Sequence, residues 1–359
     1  MKKNYKNLIT FILFIVLLIT SIWAANNILR YKTELSGNLG FRKTEFLTSN
    51  EQQDVLFIGA SGVFAGFSPY VLYENYGIYS YNLSASTQPP MLSYLNLKEA
   101  ILNDKTPEVL IIEFISLHKK SEISKYEVWY LNGYADIQNP DLKKEFKNYI
   151  KKDFPKYNLL NINFPLYKYH SRWKELTKDD FIVPEKLDNN KFLLGSYTST
   201  NIKDVQFSSD YFKPKDITIE YEASSKYYYD KIIELCKENN IEIIMVIPPR
   251  ITETLEKEQL HLDYAKEHGI KHFINFSNPA LLSELNIDAQ TDFYNDTHVN
   301  ISGQHKLSNY IGNYLVENFS DTLTIHTEKS NLYENYRNQY NMQYQLYEEN
   351  LEKLEADTH

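Results

Sequence analysis

Asp54-Val55-Leu56-Phe57-Ile58-Gly59-Ala60-Ser61-Gly62 is the stretch on which the reading of this chain turns. A short apolar run stops at Gly-Ala-Ser-Gly, and an apolar-rich segment reaching Tyr76 follows it. The pattern predicts a buried strand over 54–58, a tight turn carrying one serine, and a helix over 62–76. Such a turn lifts a hydroxyl above the carboxyl end of a sheet, beside the free N–H groups of a helix start. Gly59, Ala60 and Gly62 are small enough to let the backbone bend sharply and a substrate come close. A strand-to-helix turn with no catalytic role carries the same local pattern, so the rest of the chain has to decide between them.

Outward from this stretch, apolar runs and helical periods alternate. Residues 78–83 read as a second strand, 90–103 as a helix, and Glu108-Val109-Leu110-Ile111-Ile112-Glu113-Phe114-Ile115 as a third strand. Unbroken apolar runs of this kind suit parallel strands covered on both faces. After an irregular segment the alternation resumes: a helix over 221–239, a strand over 241–247 ending at Pro248-Pro249, a helix over 253–268, a strand over 271–276 and a helix over 301–318. This implies an α/β fold with a three-layer, doubly wound parallel sheet, whose ligands bind beyond the carboxyl ends of the strands. Residues 118–220, rich in Lys, Asn, Asp and Tyr and interrupted by Pro140, Pro155, Pro165 and Pro184, read as a mostly helical insertion. It would cap or flank the site, or be a structural excursion. Residues 26–53 read as a stalk or a first surface helix. From 327 onward, Tyr333, Tyr336, Tyr340, Tyr344 and Tyr347 fall at helical spacing, as in an amphipathic helix docking on the body or on a partner.

Far downstream stands Asp292-Phe293-Tyr294-Asn295-Asp296-Thr297-His298-Val299-Asn300-Ile301-Ser302-Gly303. With Ser61 it completes a nucleophile, base and orienter set. His298, in a loop before the last helix, can return to the carboxyl edge of the sheet and take the serine proton. Asp296 would hold its other ring nitrogen, with Asp292 as the alternative acid. Donors for a developing oxyanion are sought at the backbone N–H of Ser61, at Gly62, and in the turn Asn82-Leu83-Ser84-Ala85-Ser86-Thr87-Gln88. A helix cap at Ser86 or Thr87 is the plainer account of that turn.

The order and placement of these residues resemble the SGNH (GDSL-like) hydrolase superfamily over roughly residues 54–318, most closely at the two ends. The motif Gly59-Ala60-Ser61-x4-Gly66-x-x-Pro69 is most similar to a membrane-anchored branch. That branch works beside membrane-bound O-acyltransferases and includes the teichoic-acid D-alanylation and alginate O-acetylation proteins. The resemblance implies an SGNH/flavodoxin-like sheet and a Ser61–His298–Asp296 triad, with oxyanion or substrate contacts at Gly62, Asn82 and Thr87. No cofactor or metal is implied, and the implied partners are a membrane O-acyltransferase and a polysaccharide or teichoic-acid-like polymer. The chain departs from the pattern in three places. The superfamily's usual acid position falls on Asn295, a glycine usually stands near Thr87, and the Asn expected after the third strand is absent from Glu113-Phe114-Ile115-Ser116.

Composition narrows the classes. The 359 residues are 43% hydrophobic and 24% charged, an ordinary globular balance. A formal charge of -9 with no Lys/Arg stripe argues against nucleic acid. Tyr is abundant at 30 residues, so clusters such as Tyr227-Tyr228-Tyr229 are either sugar-stacking platforms or core. The single cysteine, Cys236, reads as core packing, and no Cys/His cluster has zinc spacing. Lys2, Lys3 and Lys6 precede an apolar run from Leu8 to Ala25, long enough to span a bilayer. The basic flank would keep the amino terminus inside and the body of a bacterial protein outside, with Trp23 at the outer interface. The length of the run and the position of Trp23 favour an uncleaved anchor over a cleaved signal peptide at Ala24-Ala25.

Overall fold

The computed structural model of the chain describes residues 2–30, 39–119, 122–181, 191–207, 219–250 and 253–358. It begins with α1 (Lys2–Leu29) and α2 (Leu39–Thr48), followed by β1 (Val55–Ile58), α3 (Ser61–Gly66), α4 (Pro69–Tyr76), β2 (Ser80–Asn82), α5 (Pro90–Leu102) and β3 (Val109–Ile112). The insertion carries α6 (Ile123–Asp136), α7 (Pro140–Asp153), the short α8 (Leu160–Asn163) and α9 (Pro165–Tyr169), and a small hairpin of β4 (Phe192–Leu193) and β5 (Ser196–Tyr197). Then come α10 (Ala223–Glu238), β6 (Glu242–Ile247), α11 (Leu255–His268), β7 (His272–Asn275) and α12 (Pro279–Glu284). A second hairpin of β8 (Phe293–Asn295) and β9 (His298–Val299) leads into α13 (Ile301–Phe319) and α14 (Asn331–Thr358).

Five strands form one parallel sheet in the order β2-β1-β3-β6-β7. Strand alternation sends the apolar residues to two cores. Val55, Phe57, Val109, Ile111, Ile244 and Val246 pack with Val63, Leu72, Leu307 and Ile311 from α3, α4 and α13. Leu56, Ile58, Leu110, Ile112 and Met245 pack with Leu92, Leu95, Ile232 and Ile233 from α5 and α10. Each fully buried side chain of this kind stabilises the fold by roughly 1.5–3 kcal/mol. The three layers expected from the sequence are therefore present. From β1 the chain steps to β2 on one side, then crosses to β3 on the other. The carboxyl ends of β1 and β3 thus flank the point where the winding reverses, where doubly wound sheets hold their ligands.

The structure refines three local readings. The helix expected over 62–76 is two helices, because Pro69 has no N–H to continue the ladder and holds Ser68 extended (φ -105°, ψ 110°). Residues 26–53, expected as a stalk or a first surface helix, include α2, which is packed into the body: Arg42, Lys43 and Phe46 are buried. The Lys43 ammonium is ion-paired with buried Glu99, and Arg42 stacks on the Phe64 ring of α3 at 4.6 Å. The tyrosine clusters are mainly core. Tyr228 and Tyr229 are buried in α10, while Tyr333, Tyr340 and Tyr347 line the inner face of α14 where it docks on the body. Cys236 is buried, and its thiol is pushed up to about 12 by that burial.

Candidate active site

Ser61 opens α3 directly after β1 and is half-buried on the wall of a cavity of about 250 Å³. Glu113, one residue past β3, and Arg250, just past β6, line the same cavity. Glu113 accepts the backbone N–H of Ala60 at 2.6 Å through one oxygen and bonds the Arg250 guanidinium at 2.9 Å through the other. This carboxylate therefore ties the serine turn to the adjoining strand loop. The pair is nearly dry, at 1% and 11% side-chain exposure, so neither charge can be stripped of the other cheaply. A Cβ on Gly62 would stand 2.5 Å from the Arg250 Nη2 and 3.0 Å from the Glu113 Oε2. The glycine thus makes room for the ion pair to approach the turn.

His298 stands on the β8–β9 hairpin, whose β9 packs against α3; the histidine ring feels the Arg250 cation, but His298 is not among the residues lining the cavity. Asn295 and His298 are cross-strand partners, so their side chains lie on one face. The Asn295 Oδ1 accepts the Thr297 N–H at 3.0 Å and faces the His298 Nδ1 at 2.8 Å. A backbone N–H can only donate, so this amide atom is the oxygen, and Nδ1 must carry the ring proton to bond it. Nε2 is left as a bare lone pair, buried and without a hydrogen-bond partner among the described residues. Tyr294 stacks on the ring at 5.5 Å between centroids. Burial pushes the imidazole pKa down to about 4, and the Arg250 cation adds to the push. The ring is thus neutral at ordinary pH, in the tautomer a general base needs.

The acid expected from the sequence is corrected here. Asp296 sits at the tip of the hairpin turn, exposed, with its carboxylate on Lys203 at 2.7 Å. Asn295 ends β8 as the cross-strand partner of His298, whereas Asp296 lies in the turn beyond it and is held by Lys203. Asp292 is fully buried, but it accepts the Asp288 N–H at 2.7 Å and the Lys306 ammonium at 2.6 Å. It therefore braces α13 instead of the histidine. Asn300 caps that helix by accepting the N–H groups of Ser302 and Gly303.

The expected substrate contacts divide. The Asn82 side chain is fully buried and occupied, donating to the Val63 carbonyl at 3.0 Å and accepting the Ser84 N–H at 3.0 Å. It locks β2 to α3 and offers nothing to a ligand. Thr87 does line the cavity with Ser61, its Oγ1 buried and without a partner among the described residues. Its φ of 51° lies in the left-handed region that favours glycine.

Glu113 and Arg250 were missed as site residues. The available signal was a charged residue immediately after an apolar strand in Glu113-Phe114, and an arginine directly after the strand-ending Pro248-Pro249. His118 and His261 also enter the cavity, with Tyr130 of α6 and Glu253. The insertion therefore walls one side of the site. His118 is pushed down to about 4 by burial, with His261, Lys257 and Lys119 adding to it. Glu253 is buried, which raises its carboxyl pKa. No protein-family model matches the chain, and no curated protein matches it in sequence.

Proposed function

We propose that this protein is a membrane-anchored serine acyl-transfer enzyme. It works on ester-linked acyl groups of an extracytoplasmic polysaccharide or teichoic-acid-like polymer. The observation that carries the reading is the state of His298. One ring nitrogen is held by Asn295, the other is buried with no partner among the described residues, and the strand bearing it packs on the helix that Ser61 opens. In the proposed reaction, Nε2 takes the Ser61 hydroxyl proton as Oγ attacks the ester carbonyl. The Ser61 and Thr87 N–H groups supply the oxyanion donors. The imidazolium then returns its proton to the departing alkoxide. Water or a polymer hydroxyl, deprotonated by the same nitrogen, releases the acyl group from Ser61.

The resemblance to the membrane-anchored SGNH branch supports transfer in concert with a membrane O-acyltransferase that supplies the acyl group. Two structural features agree with it. The strand order and its reversal beside Ser61 are of the flavodoxin-like type, and Thr87 adopts a glycine-like conformation near the position where that superfamily usually carries glycine. The cavity is small for a ligand pocket, which favours a short acyl chain.

The reading is tested with a fluorophosphonate probe on the intact protein. Wild type is expected to label, and Ser61→Ala and His298→Ala to lose labelling by ~10³-fold or more. A neutral amide stabilises an imidazolium less than a carboxylate would, and this favours the second reading, a polymer-binding or assembly factor. A folded wild type that does not label would support that reading instead.

A further inference from the structure

α1 contains a 25-residue stretch, Tyr5–Leu29, long and apolar enough to cross a membrane. It does not meet the body through a loose tether. Arg30 donates to the Asn132 Oδ1 at 2.8 Å and to Asp136 at 3.1 Å. Arg172 caps the helix end by bonding the Leu29 and Arg30 carbonyls, each at 3.1 Å, while itself ion-paired with buried Asp180. Already at Ile19, Ile22 and Trp23 the helix shares a cleft with Phe164 and Leu166 of the α8–α9 segment.

Length then creates a problem that the body must solve. The stretch is long enough to span, but from Ile19 on it runs beside the body, and at ~1.5 Å per residue the part before that, residues 5–18, is ~21 Å long against a hydrocarbon core of ~30 Å. A bilayer entered by α1 therefore extends past the level at which the body begins, and any tilt of the helix increases the shortfall. At that level the body presents apolar side chains to the outside: Leu160, Phe164, Tyr167, Trp173 and Phe181 are all exposed, Trp173 by 63%. They stand on α8, α9 and the turns after them; α9 and those turns contact α1, and α8 packs on α9. The Lys174 ammonium lies 5.5 Å from the Trp173 ring centroid, a cationic and aromatic pairing suited to headgroups.

We propose that α8, α9 and the turns through Phe181 form a collar seated in the interfacial layer of the bilayer that α1 enters. The collar lies at the depth where the outer part of α1 runs beside the body, and it fixes the orientation of the body against the membrane. Lipid suits this exposed set of aromatic and aliphatic side chains because the set adjoins a helix long enough to cross a membrane. The proposal rests on α1 entering the bilayer and is independent of the chemistry at Ser61.

The chain has three tryptophans, Trp23, Trp129 and Trp173, which allows a direct test in the full-length protein. Two single-tryptophan proteins, W129F/W173F and W23F/W129F, are placed in phosphatidylcholine vesicles carrying bromines at shallow or deep acyl positions. Trp23 and Trp173 are both expected to be quenched at least ~twofold by shallow bromines and shielded from aqueous iodide, as interfacial aromatics are. Adding Phe164→Ser and Phe181→Ser to W23F/W129F is expected to restore iodide access to Trp173. Quenching of Trp23 alone, with Trp173 open to iodide, would overturn the collar and leave the anchor standing. Absence of quenching at both would overturn the anchor with it.

Discussion

The imidazole of His298 leans on a neutral carboxamide, and this has consequences that activity measurements can read. With its pKa pushed down to about 4, the ring stays a competent base well into the acid range. On the proposed mechanism, the acid limb of the pH profile of kcat/KM for ester hydrolysis is therefore expected near pH 4. In Asn295→Asp a carboxylate beside Nδ1 favours the charged ring, so the base titrates higher and the acid limb moves toward neutral pH. An unmoved limb would show that Asn295 does not govern His298. Asp296 belongs to an exposed pair, with side-chain exposures of 48% for Lys203 and 54% for Asp296, of a kind worth about 0–1 kcal/mol. Asp296→Ala is accordingly expected to leave kcat/KM within about twofold and stability within about 1 kcal/mol.

At the scale of elements, the site is an alignment of strand ends. Glu113 after β3 holds Arg250 after β6 and the Ala60 N–H before α3, so three loops share one carboxylate. Truncating either partner leaves a buried charge alone. Glu113→Ala and Arg250→Ala are each expected to cost about 3–5 kcal/mol of stability in denaturant titrations. In a double-mutant cycle the combined loss should fall well short of the sum, because the second removal relieves the orphaned charge. Additive losses would mean the pair is not coupled in solution. Gly303 has a comparable role beneath the histidine. A Cβ there would stand 2.6 Å from the Asp292 carbonyl and 2.7 Å from the Val299 Cβ, so α13 can lie close under the hairpin only with glycine at that position.

For the whole molecule, the buried histidines give stability a pH dependence. In the folded chain His298 and His118 both titrate near 4, below their ordinary 6.5, because burial disfavours the cation. The unfolded chain then binds more protons between pH 6.5 and 4. Stability is at its full value above that window and falls as the pH drops through it. His298 accounts for at most about 3 kcal/mol of the loss, and His118, which solvent screens more, for less. Thermal unfolding at pH 7 and pH 4.5 should show His298→Gln losing less Tm on acidification than wild type. An equal loss would place the acid sensitivity elsewhere.

Residues 54–58, 108–115 and 241–247 determined the parallel sheet by themselves, because continuous apolar runs can be satisfied only by cover on both faces. The Gly-Ala-Ser-Gly turn likewise placed Ser61 at a strand's carboxyl end without reference to anything distant. What lies three residues or more from its partner was decided only by the tertiary structure. Asn295, and not Asp296, faces His298 because cross-strand pairing in the hairpin sets which side chains share a face, a register invisible in the spacing of letters. Glu113 and Arg250 are 137 positions apart and meet only because β3 and β6 are neighbours in the sheet. Thr87 and Asn82 stand in one polar loop, yet one lines the cavity and the other is spent inside the fold. Local sequence carries periodicity and turn chemistry, which are short-range preferences. Which polar groups are used up and which are left for a substrate is a balance of hydrogen bonds struck across the whole fold.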